Sequence, residues 1–383
     1  MKPGKLKIGI IAMGLESSRD FRSAGVARYA FSLLDAIAQD PTFPHEFHFF
    51  LLPSFEIPPH WKQAKAKHIR VHRTWKRYNK WTLLVSGLIA KKLGLDFLLS
   101  TANSIPLLSP VPTGVFIHDL FPLDHPEWFP DATATVNEKT IPRAVRNSRL
   151  VLANSEATRR DIIRHFQVDG AKVVVTPLAG GNEIERLTES QIDRTKLSSL
   201  GIPFARYILT LSTIEPRKNL GRLVEAFARL KADPELSDLG LVVAGSKGWK
   251  YDEALAKVDE LSLGESVKLV GYVEDKELPL LFGASEFYIC PSVSEGFGMP
   301  LVEAMAAGAP VLSSDGGALP EVGGNAVRYF DPLSVDSIAE AMKEAIWASG
   351  QRSEWVNAGL DQAALFDWHK TAKATVSAIE RVI

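Results

Sequence analysis

Residues 287–314 read FYICPSVSEGFGMPLVEAMAAGAPVLSS. Phe287–Cys290 is a short apolar run of the kind that forms a strand buried on both faces, and Val311–Ser313 is a second. Between them, Pro300–Ala307 predicts a helix. Pro300 suits its first turn, where the missing N–H would have no partner, and Gly308 suits its end, ahead of Ala309-Pro310. The stretch is one strand–loop–helix–strand unit, the building block of a parallel sheet. Cys290 is the chain's single cysteine. It rules out an intrachain disulfide, fits a reducing compartment, and reads in its apolar run as a buried structural thiol rather than a nucleophile.

The same alternation runs outward in both directions. In the first half, strands are expected at Lys7–Ala12, Phe47–Leu52, His68–Val71, Phe97–Ser100, Val115–His118, Leu150–Ala153 and Val173–Thr176. In the second, they are expected at Tyr207–Leu211, Leu239–Ala244, Val267–Val270 and Val327–Tyr329, beside the two already named. Helices are expected at Val26–Ala38, Trp81–Leu93, Glu156–Phe166, Asn219–Leu230, Tyr251–Leu261, Lys276–Gly283 and Val335–Ala348. The fold class is α/β, with two doubly wound Rossmann-like sheets. Right-handed crossovers place the strand C-terminal ends along one rim, where ligands bind. Leu178-Ala179-Gly180-Gly181 reads as a hinge, giving domains 1–182 and 183–365. The tail 366–383 carries Trp368 and a helical pattern, which suits closing the second half or packing back on the first.

A chain of 383 residues with 46 % apolar and 23 % charged residues is soluble, globular and long enough for two domains. The apolar stretch Ile8–Leu15 lacks a small-residue cleavage site and reads as a first strand rather than a secretion signal. The longest uncharged run, Phe97–Ile117, carries Asn103, Pro106, Pro110 and Pro112 and is a poor membrane helix. The net charge of −1 hides an asymmetry: residues 1–182 hold 24 basic and 15 acidic side chains, and the remainder 20 and 30. Such a dipole concerns partners rather than fold.

The segment Ser294–Gly308 carries the chemistry. Gly296 and Gly298 let backbone approach a ligand closely. The N–H groups near Met299–Leu301, with the helix dipole, form an anion site suited to a diphosphate. Glu295 on the loop and Glu303 in the first helical turns flank that site, each able to accept hydrogen bonds from sugar hydroxyls. The same spacing also suits a plain capped helix after a glycine turn, with Glu303 merely favouring the dipole.

Glu295 and Glu303, with Gly-Phe-Gly between them, resemble the Glu-x7-Glu motif of family 4 glycosyltransferases. Pro310-Val311, Gly316-Gly317, Leu319-Pro320-Glu321, Ile214-Glu215-Pro216-Arg217-Lys218-Asn219, Ala244-Gly245-Ser246-Lys247-Gly248-Trp249, Gly271-Tyr272-Val273 and Ile117-His118-Asp119 also resemble that family. The resemblance spans nearly the whole chain in order and is weakest at Phe43–Ser100. It implies the GT-B fold, two Rossmann-like domains facing each other across a deep cleft. The first domain would bind the acceptor and the second a nucleotide-sugar donor.

The resemblance also implies roles. Arg217 and Lys218 would hold the donor diphosphate, a guanidinium fork and a point charge that suit phosphate oxygens. Glu303 would bind the ribose, Val273 the base through its backbone, and Glu295 the donor sugar with the amides of Gly296, Phe297 and Gly298. Met299 and Leu301 would add amides at the helix start. His118 would lie beneath the sugar, though a histidine at a strand end also suits a satisfied core position. Asp119 would orient a loop or bind the acceptor, and Gly25 would approach the donor phosphate. The chain departs from the family in having Ser212 at a usual glycine and Ala24-Gly25 where two glycines often stand.

No Asp-x-Asp occurs in the sequence, so the cationic side chains are expected to stabilise the leaving diphosphate with no metal and no other cofactor. His68 and His72 are four apart with no glutamate between them and read as strand or loop rather than zinc ligands. Family membership implies a retained anomeric configuration. The likeness is greatest to mannosyltransferases of surface-polysaccharide assembly, which favours GDP-mannose over UDP-glucose or another UDP-hexose. The acceptor would be a glycan or a lipid-linked sugar. An epimerase or phosphorylase of the same fold, or a non-catalytic glycan-binding protein, are the competing readings.

Lys62, Lys65, Lys67, Arg70, Arg73, Lys76, Arg77 and Lys80 fall in a stretch with no acidic residue, interleaved with Trp61, Trp75, Tyr78 and Trp81. Basic residues beside aromatics suit an anionic membrane surface, and also a polyanionic glycan or a lipid diphosphate. The expected location is cytoplasmic and peripheral on the inner membrane face. A solvated basic face has the same composition. Nucleic acid is not an expected partner, since the second half is acidic.

Overall fold

Each half of the chain builds one all-parallel sheet. In the computed structural model, residues 4–12, 15, 25–62, 67–75, 78–181 and 184–383 are described, with backbone alone at 78–80 and 349. The chain divides into two units, Met1–Leu178 with Asp367–Ile383, and Ala179–Phe366.

The first unit holds β1 (Lys7–Ile11), β2 (Glu46–Leu51), β3 (Ile69–Arg73), β4 (Phe97–Ser100), β5 (Thr113–Ile117), β6 (Leu150–Ala153) and β7 (Val173–Val175), in sheet order β3-β2-β1-β4-β5-β6-β7. The central strands β4, β5 and β6 are buried at every position. They carry Val, Leu, Ile and Phe without alternation, as strands covered on both faces do. Helix Trp368–Glu380 belongs to this unit and packs on helix Gly25–Gln39. Thr371 Oγ1 donates to the Pro177 carbonyl at 2.5 Å, and Arg149 Nε to that of Val382 at 2.6 Å.

The second unit holds β8 (Arg206–Leu211), β9 (Leu239–Ala244), β10 (Val267–Gly271), β11 (Phe287–Cys290), β12 (Val311–Ser314) and β13 (Arg328–Phe330), in order β10-β9-β8-β11-β12-β13. Its core joins Leu223, Val224 and Phe227 of helix Leu220–Lys231 to Leu241 and Val243 of β9 and to Ile338 and Met342 of helix Val335–Trp347. The chain runs outward from β8 to β10, then crosses back to lay β11 on the other side of β8. The loops after β8 and β11 therefore leave in opposite directions, opening a crevice at the carboxyl ends of these strands.

Two expectations about elements change. Trp81–Leu93 is two helices, Tyr78–Leu84 and Ser86–Lys92. A continuous helix would offer the carbonyls of Thr82 and Leu83 to the next turn's N–H groups. Instead the Ser86 hydroxyl takes the first at 2.6 Å and the Leu107 N–H the second at 2.8 Å. A helix not foreseen, Asp131–Asn147, follows β5 and carries Pro142 within it. Among the described residues, no helix is long and apolar enough to cross a membrane.

Candidate active site

The loop after β8 forms a short turn at Pro216–Lys218, closed by Asn219 in the left-handed region at φ 59°. Asn219 is buried, and its side-chain amide donates to the carbonyls of Pro291 and Pro332 at 2.9 and 2.8 Å. The Val293 N–H donates to the Arg217 carbonyl at 2.8 Å. These bonds fasten the β8 loop to the β11 loop, bringing three charges together. Arg217 Nη1 donates to Glu295 Oε2 at 2.6 Å, and Lys218 Nζ to Glu295 Oε1 at 2.5 Å. The Ser292 hydroxyl adds a third bond at 2.7 Å. Arg217 Nη2 reaches Glu215 Oε1 at 2.8 Å, so its guanidinium bridges two carboxylates.

Glu295 is 9 % exposed. Burial works to raise its pKa, but the charges of Arg217 and Lys218 and the bonds from Lys218 and Ser292 outweigh it and hold the carboxyl at about 2. Ser292 carries no motif signal, and Glu215, although inside the Ile214–Asn219 motif, has no role assigned from sequence. The hint for its role is its place two residues before Arg217, within reach of the guanidinium.

Gly298 opens helix Met299–Ala306 at φ 92°, a backbone region that glycine enters without a Cβ penalty. Phe297 is buried and turns its ring against Phe366, with centroids 5.5 Å apart. Leu301 corrects the expected set of anion-binding amides. Its N–H donates to the Gly298 carbonyl at 2.9 Å and its side chain is fully buried. With Pro300 lacking an N–H, Met299 is the amide left in that turn. Glu303 is fully buried, and its Oε1 accepts from the Gly181 N–H at 3.1 Å. Val273 is buried just past β10, whose Gly271 carbonyl accepts from the Gly245 N–H at 2.7 Å. Gly245 sits at φ 123°, and a Cβ there would fall 1.9 Å from the Ser212 carbonyl oxygen.

Three expected residues lie in the first unit. His118 follows β5, half-buried, with Nε2 3.0 Å from the Thr101 carbonyl. That contact puts the proton on Nε2, since a carbonyl only accepts. Burial pushes the imidazole down to about 4, leaving it neutral near pH 7. Asp119 Oδ1 accepts from the Phe121 N–H at 3.3 Å, holding the start of helix Phe121–Asp124. Gly25 is exposed as the first residue of helix Gly25–Gln39, and residues 16–24 before it lie outside the described residues.

Residues 23–179 match the family model "Glycosyltransferase Family 4", and residues 195–362 match "Glycosyl transferases group 1". O-antigen chain mannosyltransferase B of Escherichia coli is 31 % identical over 261 residues, 68 % of each chain. The chain belongs to the family 4 glycosyltransferases. Serotype-specific mannosyltransferase WbdA of Escherichia coli is 27 % identical over 237 residues, 61 % of this chain and 29 % of that protein. The two parallel sheets give the glycosyltransferase a GT-B fold. Sucrose-phosphate synthase from Thermosynechococcus elongatus superposes with a TM-score of 0.73 at 18 % identity, over 98 % of this chain and 99 % of that one.

The basic stretch of this glycosyltransferase is less uniform than its composition suggests. Residues 63–66 and 76–77 and the side chains of 78–80 lie outside the described residues, and with them Lys65, Lys76, Arg77, Tyr78 and Lys80. Trp61 and Trp81 are not interfacial aromatics. Trp61 is buried with its indole N–H on Asp35 at 2.7 Å, and Trp81 packs against Phe50. Arg73 is spent on the carbonyls of Leu52 and Phe55. Trp75 stays 54 % exposed. His68 and His72 also part ways: His68 bonds the Ile37 carbonyl, and His72 pairs with His48 at 2.9 Å.

Proposed function

We propose that this glycosyltransferase moves mannose from GDP-mannose to a glycan or lipid-linked acceptor, with retention at the anomeric carbon. The observation that carries the reading is the convergence of Arg217 and Lys218 on one buried carboxylate, Glu295, at the crevice between the β8 and β11 loops. Glu295 is the counter-ion of both cations. A diphosphate offers the same cations more charge and bidentate oxygens, so it takes them over. Glu295 is then released to accept sugar hydroxyls, and Glu303 those of the ribose. The mannose preference is supported by the two Escherichia coli relatives, both named as mannosyltransferases.

In this reaction the bond from the anomeric carbon to the diphosphate breaks and a bond to the acceptor oxygen forms on the same face. The acceptor proton goes to the leaving phosphate oxygen. Arg217, Lys218 and the helix start at Gly298-Met299 stabilise the charge that builds there, in place of a metal. We also infer that the first unit docks on an anionic membrane through its basic segment.

A donor panel followed by nucleoside diphosphate release tests the donor, with EDTA added to test the metal. Preference for a UDP-hexose would overturn the mannose reading. Anomeric NMR of the first-formed product tests retention, and an inverted anomer would overturn it.

A further inference from the structure

Docking on a membrane needs apolar surface as well as charge, and Trp61 and Trp81 supply none because both are core. The structure provides a different set. The turn at Leu107-Leu108 is clamped against helices Tyr78–Leu84 and Ser86–Lys92. The Leu107 N–H holds the Leu83 carbonyl at 2.8 Å, and Gly87 lies so close that a Cβ would fall 2.2 Å from the Leu108 carbonyl oxygen. Out of this packing stand Leu84 and Leu88, each 59 % exposed, Leu107 at 50 % and Leu108 at 79 %. Single exposed leucines are ordinary, but four on neighbouring elements make a patch. Lys91 and Lys92 are exposed at the end of the second helix. Residues 57–95 contain ten Lys and Arg and no Asp or Glu.

We propose that Leu84, Leu88, Leu107 and Leu108 form a wedge that enters an anionic lipid bilayer, with Lys91 and Lys92 at headgroup level. The wedge rests on the docking reading above and names its apolar half. Charge selects the occupant. Two copies facing each other here would bring together two basic segments, residues 57–95, that carry no Asp or Glu, whereas an anionic bilayer complements both the leucines and the lysines.

Cosedimentation of the full chain with phosphatidylcholine vesicles, with and without phosphatidylglycerol, tests this. Wild type should pellet with the anionic vesicles. Leu84→Ser with Leu88→Ser, and Leu107→Ser with Leu108→Ser, should each partition about tenfold or more weakly while melting like wild type. The one native thiol, Cys290, is buried, so Leu108→Cys can carry an environment-sensitive dye, whose emission should shift to the blue on anionic vesicles. If wild type pellets with neither vesicle, docking itself is wrong and the wedge falls with it. If wild type pellets and the serine variants pellet equally, the wedge alone is overturned and adsorption is purely electrostatic. A wild-type dimer in light scattering that the serine variants dissociate would also overturn it.

Discussion

The Glu303 carboxylate accepts the backbone N–H of Gly181 at 3.1 Å. Gly181 is the third residue of the second unit, in the segment that enters it from the first. A side chain assigned to the nucleotide ribose thus also anchors the incoming backbone, and the two duties separate by substitution. In Glu303→Gln the amide oxygen still accepts from Gly181, so folding should hold. Donor affinity should fall about tenfold or more, because a bond to a charged acceptor is lost. Calorimetric titration with GDP-mannose reads this, and unchanged affinity would remove Glu303 from the ribose.

Arg217→Lys keeps the positive charge but loses the fork that spans Glu215 and Glu295. Turnover should drop at least about tenfold with near-native melting. Arg217→Ala should cost about 100- to 1,000-fold in turnover. It should also melt lower, since buried Glu215 loses its counter-ion while Glu295 keeps Lys218 and Ser292, and breaking a buried pair costs about 3–5 kcal/mol. Equal turnover of the lysine variant and wild type would show that charge alone is used.

Acid should act on the two units in different windows. The His118 pKa is depressed to about 4 from the ordinary 6.5, mainly by burial. Its stabilising contribution is complete above 6.5 and is lost as pH falls from there through 4. The Glu295 pKa is depressed to about 2 from 4.5, because its cationic partners outweigh burial. That contribution is complete above 4.5 and is lost as pH falls through 2. NMR titration of the His118 ring should give a midpoint near 4, and a midpoint near 6.5 would contradict the burial argument.

Gly245→Ala should unfold the second unit more easily. The new Cβ would meet the Ser212 carbonyl at 1.9 Å, in a backbone conformation that L side chains rarely adopt. A cost of about 2–4 kcal/mol is expected, or roughly 5–15 °C in melting. An unchanged melting curve would mean that the β8 and β9 loops separate without penalty.

Much of this was legible because local rules and tertiary needs agree. Helix Glu156–Phe166 begins and ends as expected, since Ser155 caps the Thr158 N–H at 3.0 Å and Gln167 turns left-handed after it. The buried apolar strands announced both sheets. What escaped depends on partners far along the chain. Helix Asp131–Asn147 buries only Ile141, Ala144 and Val145 and tolerates Pro142, so its apolar stripe is too thin to stand out. The break at Val85 comes from Leu107, more than twenty residues away. Glu215 and Ser292 gain meaning only once the β8 and β11 loops meet. The tail fitted either half until Glu380 was placed against His45 at 2.8 Å.

That last helix has a consequence for biosynthesis. The second unit is inserted into the first, whose segment Asp367–Ile383 follows it along the chain. Once Phe366 has emerged from the ribosome every residue of the later unit is free to fold, while the earlier one still lacks the helix that packs on Gly25–Gln39. Order of synthesis and order of completion are therefore reversed. Limited proteolysis of stalled nascent chains should find the inserted unit protected first.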